Sequence, residues 1–196
     1  MRAERTALGN CTRYGRLCWM LVTVRAEKRR TESGALLIAD TTSPTWLWRF
    51  ARRRAKDYLS AWIYHLVMCG STLNGRVPVT TLVGADGIAR IRPVDRPDAI
   101  LKEILETFKE GLCRPLHFFP DLSLHFLKLI AEGGKPMNAA IETVRKKWVG
   151  TDFQRGMSED PYVRLCFGCS NPIDEQFERL SEKIVVPLLR HVEELP

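Results

Sequence analysis

The hydrophobic pattern of this chain changes its period at Ala51, and this change constrains the order of its elements. Two short apolar runs, residues 17–24 and 35–39, flank a charged turn at residues 27–34 and predict a β-hairpin. Residues 45–50 follow a proline and alternate along the chain, which predicts a third strand. The first part of the chain therefore predicts three successive strands.

From Ala51 onwards the apolar residues recur with a helical period. Residues 51–69 predict a helix with Tyr58, Trp62, His65, Leu66 and Cys69 on its buried face and Arg52, Arg53, Lys56 and Ser60 pointing away from that face. Gly70 and the polar residues after it end the helix. For His65, a core imidazole with satisfied hydrogen bonds is the expected role.

A second hairpin and several helices are predicted downstream. Residues 77–83 and 88–94 flank a turn at residues 84–87, whose two glycines permit positive φ angles. Helices are predicted at residues 97–112, 121–132, 137–148, 161–167 and 174–192. Pro187 predicts a kink or a break in the last one. This order predicts an α/β fold with a mainly helical C-terminal part.

Basic side chains are concentrated near the start of the chain. Residues 1–57 hold 13 basic and 5 acidic side chains, whereas the net charge of the whole chain is +7. The densest cluster lies at a helix start and consists of Arg49, Arg52, Arg53, Arg54 and Lys56. Because a helix N-terminus is already positive, a nearby anion would relieve the cost of this cluster.

This basic cluster predicts either DNA phosphates or the acidic surface of a partner chain as its ligand. A third interpretation is a solvated face that binds no ligand. If DNA binds, the binding is expected to be sensitive to salt and independent of sequence. Changing Arg52, Arg53 and Arg54 together to alanine would then weaken it.

Other residue types offer few binding sites. Cys166 and Cys169 have the spacing of half a zinc or iron–sulfur site, but no second pair exists, which favours a turn with two semi-buried thiols. Trp19, Trp46, Trp48 and Trp62 are expected in the core, with stacking on bases as the alternative. The longest apolar run has 8 residues, against about 20 for a membrane helix. Without an export signal, a cytoplasmic protein is expected.

The predicted element order resembles the core of the PD-(D/E)xK nucleases, where an acid on the second strand and an acid-x-lysine motif on the third hold magnesium. Asp40 ends the second predicted strand, but Trp48, Arg49 and Phe50 stand where the motif belongs. No acid in the chain is followed two residues later by lysine. A lone Asp40 cannot hold a catalytic magnesium. The alternative is an active metal-dependent DNA nuclease that uses Asp40 with another acid such as Glu27.

Longer motifs carry a resemblance to a known family. They are residues 49–66 (RFARRRAKDYLSAWIYHL), 114–116 with 118–120 (RPL, FFP), 148–150 (WVG), 160–165 with 167–168 (DPYVRL, FG), and 177–180 with 187–189 (FERL, PLL). In this order they resemble the RecC C-terminal domain, part of the gamma chain of exodeoxyribonuclease V, over about residues 46–194. Residues 1–44 match poorly. They are either a divergent basic arm or the first hairpin of the same core. A RecC-like domain is then expected at residues 45–196.

The resemblance implies a degenerate nuclease-like core that has lost its metal ligands, in agreement with the missing acid-x-lysine motif. It implies a non-catalytic chain, or a fragment of one, that works with RecB-like and RecD-like subunits. Such a chain scaffolds its partners and guides double-stranded DNA ends in double-strand break repair by recombination. No cofactor and no metal site are expected in this chain, since ATP and magnesium would act in the partner subunits.

Overall fold

The computed structural model describes residues 29–30, 36–38, 45–71, 78–151 and 154–195, which form a mixed α/β fold. The strands are β1 (Arg29–Arg30), β2 (Leu36–Ile38), β3 (Thr45–Trp48), β4 (Thr80–Gly84), β5 (Gly87–Ile91), β6 (Gly150–Thr151), β7 (Gln154–Arg155) and β8 (Val192–Leu195). The helices are α1 (Ala55–Gly70), α2 (Pro97–Gly111), α3 (Pro120–Ala131), α4 (Met137–Val149), α5 (Pro161–Phe167) and α6 (Glu175–His191), with a 3₁₀ turn at Met157–Glu159. None of these helices is long and apolar enough to span a bilayer.

Six strands form one mixed sheet in the order β1-β2-β3-β4-β5-β8. Neighbouring strands are antiparallel except β3 and β4, which run parallel with Leu47 opposite Leu82. Because parallel neighbours require a crossover connection, the chain passes through α1 between them. The α/β fold class predicted from the sequence is confirmed.

Helix α1 packs beneath the sheet, and its sequence explains where the helix begins and ends. Asp57 in the first turn accepts a 2.7 Å hydrogen bond at Oδ2 from the backbone N–H of Arg54. Its apolar face then recurs at helical spacing and is buried, with Trp62 and Leu66 fully enclosed. The same core contains Leu47, Tyr58, Ala61, Leu82, Ala89, Ile91, Val94 and Leu188. Gly70 is the last helical residue.

A second core lies among the helices of the C-terminal part. It contains Phe119, Leu122, Phe126, Leu127, Ala140, Ile141, Val144, Trp148, Ile173, Phe177, Ile184 and Val185. Helix α6 contributes Ile184 and Val185 to this core and Leu188, one turn later, to the core beneath the sheet. Helix α6 therefore joins the sheet to the helical part.

The hairpins agree with the sequence prediction in part. Strands β4 and β5 form the second predicted hairpin around a two-residue turn, and Gly87 has a φ of 132°, which a side chain would oppose. Strand β2 lies where the first hairpin predicts a strand, but it pairs with β1, inside the residues predicted as the turn. Residues 17–24 lie outside the described part. The small β6–β7 hairpin was not predicted.

The end of the chain differs from the sequence prediction. A kink or a break was predicted at Pro187, and the break is wrong, because helix α6 continues through Pro187 to His191. The next residues leave the helix and form β8, which pairs with β5 from Ile91 opposite Val192 to Ile88 opposite Leu195. The backbone N–H and C=O groups along β5 need partners, and the last residues of the chain supply them.

Candidate nucleic-acid interface

The predicted basic cluster spans the end of β3, an extended connection and the first turn of α1. At even positions the side chains are exposed: Trp46, Trp48, Phe50, Arg52, Arg54 and Lys56. At odd positions Leu47, Ala55 and Asp57 are buried, Arg49 and Arg53 have nearly enclosed side chains, and Ala51 is the exposed exception. In β3 and at Arg54 the backbone is extended and turns successive side chains to opposite sides, and the chain bends between them at residues 50–51. The five predicted cations therefore fall into two groups.

Arg49 belongs to the inward group. Its Nη1 donates a 2.7 Å hydrogen bond to Oδ1 of Asp57, and the two side chains are only 11% and 3% exposed. Arg49 is the central residue of the tripeptide Trp48–Phe50, the position where an acid-x-lysine motif was sought in the sequence. Its charge is offset inside the protein by Asp57 and is not free to meet a ligand.

Arg53 also faces inward, contrary to the sequence prediction. Its Nη1 lies 2.7 Å from Oε2 of Glu194 on β8, and its Nε lies 3.2 Å from Oδ1 of Asp86 in the β4–β5 turn. The guanidinium carbon is 5.6 Å from the centre of the Tyr58 ring, and the side chain is 7% exposed. The prediction that Arg53 points away from the fold is wrong, because β8 brings Glu194 back to the sheet. Arg53 therefore links three parts of the fold.

Glu194 is the centre of this network. Its Oε1 accepts a 2.7 Å hydrogen bond from the Tyr58 hydroxyl and lies 3.5 Å from Nζ of Lys128. Burial by itself would raise the pKa of Glu194, but the hydrogen bonds from Tyr58 and Arg53 outweigh it and hold the pKa below its ordinary value. Burial and the adjacent carboxylate raise the pKa of Tyr58. Nothing in the sequence near Glu194 indicates this role, because its partners lie far along the chain.

The N-terminus of α1 receives its anions from the chain itself. Asp57 accepts the backbone N–H of Arg54, and Oδ1 of Asp121 accepts the backbone N–H of Ala55 at 3.1 Å. These two carboxylates occupy the position that the helix dipole makes favourable for negative charge. An external anion is therefore not needed to stabilise this helix start. A ligand would instead be bound by the basic side chains that remain exposed to solvent.

Arg52, Arg54 and Lys56 form the outward group, and we name them the exposed cations. Each is exposed. Among the described ion pairs, none involves these three residues. Their charges are therefore available to a polyanion or to an acidic surface. Three of the five predicted site residues remain candidates for direct contact with a ligand.

Three aromatic side chains continue the line of exposed cations towards the sheet. Trp46, Trp48 and Phe50 are 38%, 39% and 91% exposed. The two indole rings stack with centroids 6.1 Å apart and planes inclined by 20°. The expectation that both tryptophans belong to the core is wrong, because Thr45 and Leu47 occupy the face of β3 that α1 covers.

Two other expectations of the sequence concern core residues, and the structure confirms both. Trp62 is completely buried beneath the sheet. His65 is also buried, and its Nε2 donates to the carbonyl oxygen of Arg92 at 2.9 Å while its Nδ1 accepts from the Thr80 hydroxyl at 3.0 Å. Burial lowers the pKa of His65 to about 4, so the ring is neutral at pH 7.

The remaining candidates do not assemble into a site in the described residues. Cys166 and Cys169 are both exposed, so the expectation of semi-buried thiols is wrong, since the short helix α5 leaves them in solvent. Within the described ranges, no three His, Cys, Asp or Glu side chains are grouped so that they could hold a metal ion. Asp40, Glu27 and Trp19 lie outside those ranges.

Comparison with known families gives one match. The family described as the RecC C-terminal domain matches residues 22–131, more than half of the chain. The match includes β3, the exposed cations and α1, and it ends with α3. It begins at residue 22, inside the residues 1–44 that were expected to match poorly, and it ends before the last three of the motifs that carry the resemblance. No curated protein matches the chain.

Proposed function

This chain belongs to the RecC C-terminal domain family, and from that premise we propose that it is a non-catalytic subunit, or part of one, of a RecBCD-type exodeoxyribonuclease V. In this role it scaffolds RecB-like and RecD-like subunits and guides double-stranded DNA ends in break repair by recombination. ATP and magnesium would act in those partner subunits. Such a role would place the chain in the cytoplasm. The family match is the observation that carries the proposal.

The pairing of carboxylates near the sheet supports a non-catalytic role. Asp57 is neutralised by Arg49, and both Asp86 and Glu194 contact Arg53. A metal-dependent nuclease needs carboxylates that are free to share a cation. Here each of the three already has a guanidinium as its partner. The order of three strands, a helix and a further strand is also the one that led us to expect a degenerate nuclease core.

The exposed cations support contact with DNA. They occupy alternate positions on the connection after β3 and the first turn of α1, and they have no carboxylate partner among the described residues. Such side chains contact phosphates without reading sequence. The set proposed for DNA is therefore Arg52, Arg54 and Lys56, since Arg49 and Arg53 hold the fold together.

We expect the variant with alanine at all three exposed cations to bind duplex DNA about tenfold more weakly at low salt. The slope of log affinity against log salt should decrease by about 3, because three phosphate contacts are lost. The measurement is fluorescence anisotropy of two labelled duplexes of unrelated sequence, which should give equal affinities.

The matched control carries alanine at Lys102, Lys109 and Lys146, which are exposed on α2 and α4 and change the net charge equally. This control should retain most of the affinity of the parent. Equal losses in both triple variants would show that only the total charge matters and would contradict a localised DNA contact.

The subunit role is tested by co-expression with RecB-like and RecD-like chains from the same genome. The chain should co-purify with them, and ATP-dependent degradation of linear duplex DNA should require it. A chain that binds neither partner, while the partners degrade DNA equally well without it, would refute the role in the complex.

A further inference from the structure

Six exposed side chains recur at every second position from β3 to the first turn of α1. They are the aromatic residues Trp46, Trp48 and Phe50, followed at the same two-residue spacing by the exposed cations Arg52, Arg54 and Lys56. We name this set the aromatic–basic stripe. Trp46 and Trp48 lie on the sheet face opposite α1, Phe50 lies in the bend after β3, and the exposed cations follow up to the first turn of α1.

Three large apolar side chains in this position are not explained by the fold. Trp46 and Trp48 belong to neither hydrophobic core, and Phe50 is almost fully exposed. Contiguous exposed aromatic surface is uncommon on a soluble domain and marks an interaction site. Buried Thr45 and Leu47 alternate with the two tryptophans, so the exposure belongs to one face of β3.

We propose that the aromatic–basic stripe binds single-stranded nucleic acid, with unpaired bases on the aromatic half and phosphates on the exposed cations. This inference rests on the proposed function and names the form of DNA that the stripe takes. Indole and phenyl rings stack on any base, so this contact is independent of sequence. In a duplex the bases stack on each other and are inaccessible, so duplex DNA would use the basic half alone.

Charge favours nucleic acid over a protein as the ligand. All three charged residues of the stripe are cations, and none forms an ion pair in the described part of the chain. A single strand offers a flat apolar ring and an anion in every repeat, which meets both halves of the stripe at once. A protein ligand would need an apolar surface that is bordered by acidic side chains.

The test uses the full chain, labelled oligothymidylate of about 16 nucleotides and a duplex of the same length. We expect Phe50→Leu and Trp48→Leu each to weaken oligothymidylate binding about tenfold, because stacking on one ring is lost while an apolar side chain remains. Duplex affinity should change less than twofold. Trp48→Phe retains a ring and should restore most of the affinity.

The matched control is Tyr162→Leu, which removes another highly exposed aromatic ring on α5, away from the stripe. It should leave oligothymidylate binding unchanged. Oligothymidylate should also quench tryptophan fluorescence of the parent, since Trp46 and Trp48 are accessible whereas Trp62 and Trp148 are buried. The quenching should decrease in the double variant Trp46→Phe/Trp48→Phe, which still binds.

Three results would overturn the inference. One is oligothymidylate affinity that is unaffected by Phe50→Leu and Trp48→Leu, and another is an equal loss for the duplex. The third is unchanged DNA binding with loss of co-purification with the RecB-like or RecD-like chain, which would assign the stripe to a protein. If the parent still binds duplex DNA through the exposed cations, the proposed function survives each of these results. If it binds neither form, the inference and the DNA contact proposed for the exposed cations both fail, while co-purification with the RecB-like and RecD-like chains separately tests the subunit role.

Discussion

The two faces of the sheet receive very different side chains from the same strand. On the inner face of β3, Thr45 and Leu47 are buried against α1, while Trp46 and Trp48 on the outer face remain exposed. The larger and more aromatic residues are thus the less buried ones. Burial in this strand depends on which face a helix covers rather than on the size of each side chain.

The same division continues among the cations beyond the strand. Arg49 and Arg53 turn inward and bind Asp57, Asp86 and Glu194. Arg52 and Arg54 turn outward and have no carboxylate partner among the described residues. One run of basic residues therefore contains structural ion pairs on one side and available charge on the other. The inner members should matter for stability, and the outer members for binding.

The largest expected difference between the two faces is in stability. Leu47→Ala should reduce the free energy of unfolding by about 3 kcal/mol, because it leaves a cavity in a packed core. Trp48→Leu on the outer face should reduce it by less than about 1 kcal/mol, because part of the ring is already in water. Urea unfolding of both variants measures the difference. Equal losses would contradict the assignment of the two faces.

Acid should lower the free energy of unfolding because His65 is buried beneath the sheet. Its pKa is about 4 in the folded protein against an ordinary value of 6.5, because burial disfavours the charged ring. Between these values the unfolded chain binds more protons, so stability decreases as the pH falls from 6.5 towards 4. The loss between pH 7 and pH 5 should be about 2 kcal/mol.

The measurement of this effect is urea unfolding at a series of pH values. His65→Gln removes one titrating group and should reduce the loss between pH 7 and pH 5, even if the variant is less stable throughout. Part of the loss should remain, because burial also lowers the pKa of His125. A parent chain with constant stability over this range would contradict a neutral, buried His65.

A smaller difference should separate the two groups of cations. Arg53→Ala should reduce the free energy of unfolding by about 1.5 kcal/mol, because Glu194 and Asp86 lose their partner while staying partly solvated. Arg52→Ala should change it by less than about 0.5 kcal/mol. Thermal unfolding of the two variants at one pH compares them. A more destabilising Arg52→Ala would reverse the assignment of inward and outward side chains.

Local patterns predicted most of the elements. The helical spacing of Tyr58, Trp62 and Leu66 correctly indicated α1, and the paired glycines correctly indicated the β4–β5 hairpin. Pro97 and Pro161 stand at the starts of α2 and α5, where a missing backbone N–H costs nothing. These signals depend only on neighbours within a few positions, so the sequence contains them completely.

The sequence by itself determined the six helices and strands β3 to β5, the density of positive charge before α1, and the absence of an acid-x-lysine motif. Only the tertiary structure decided which of those charges face solvent. Strand β8 returns the end of the chain to the sheet, and Glu194 then holds Arg53 across a separation of 141 positions in sequence. Such a contact depends on the packing of the whole chain, and no local pattern of residues carries it.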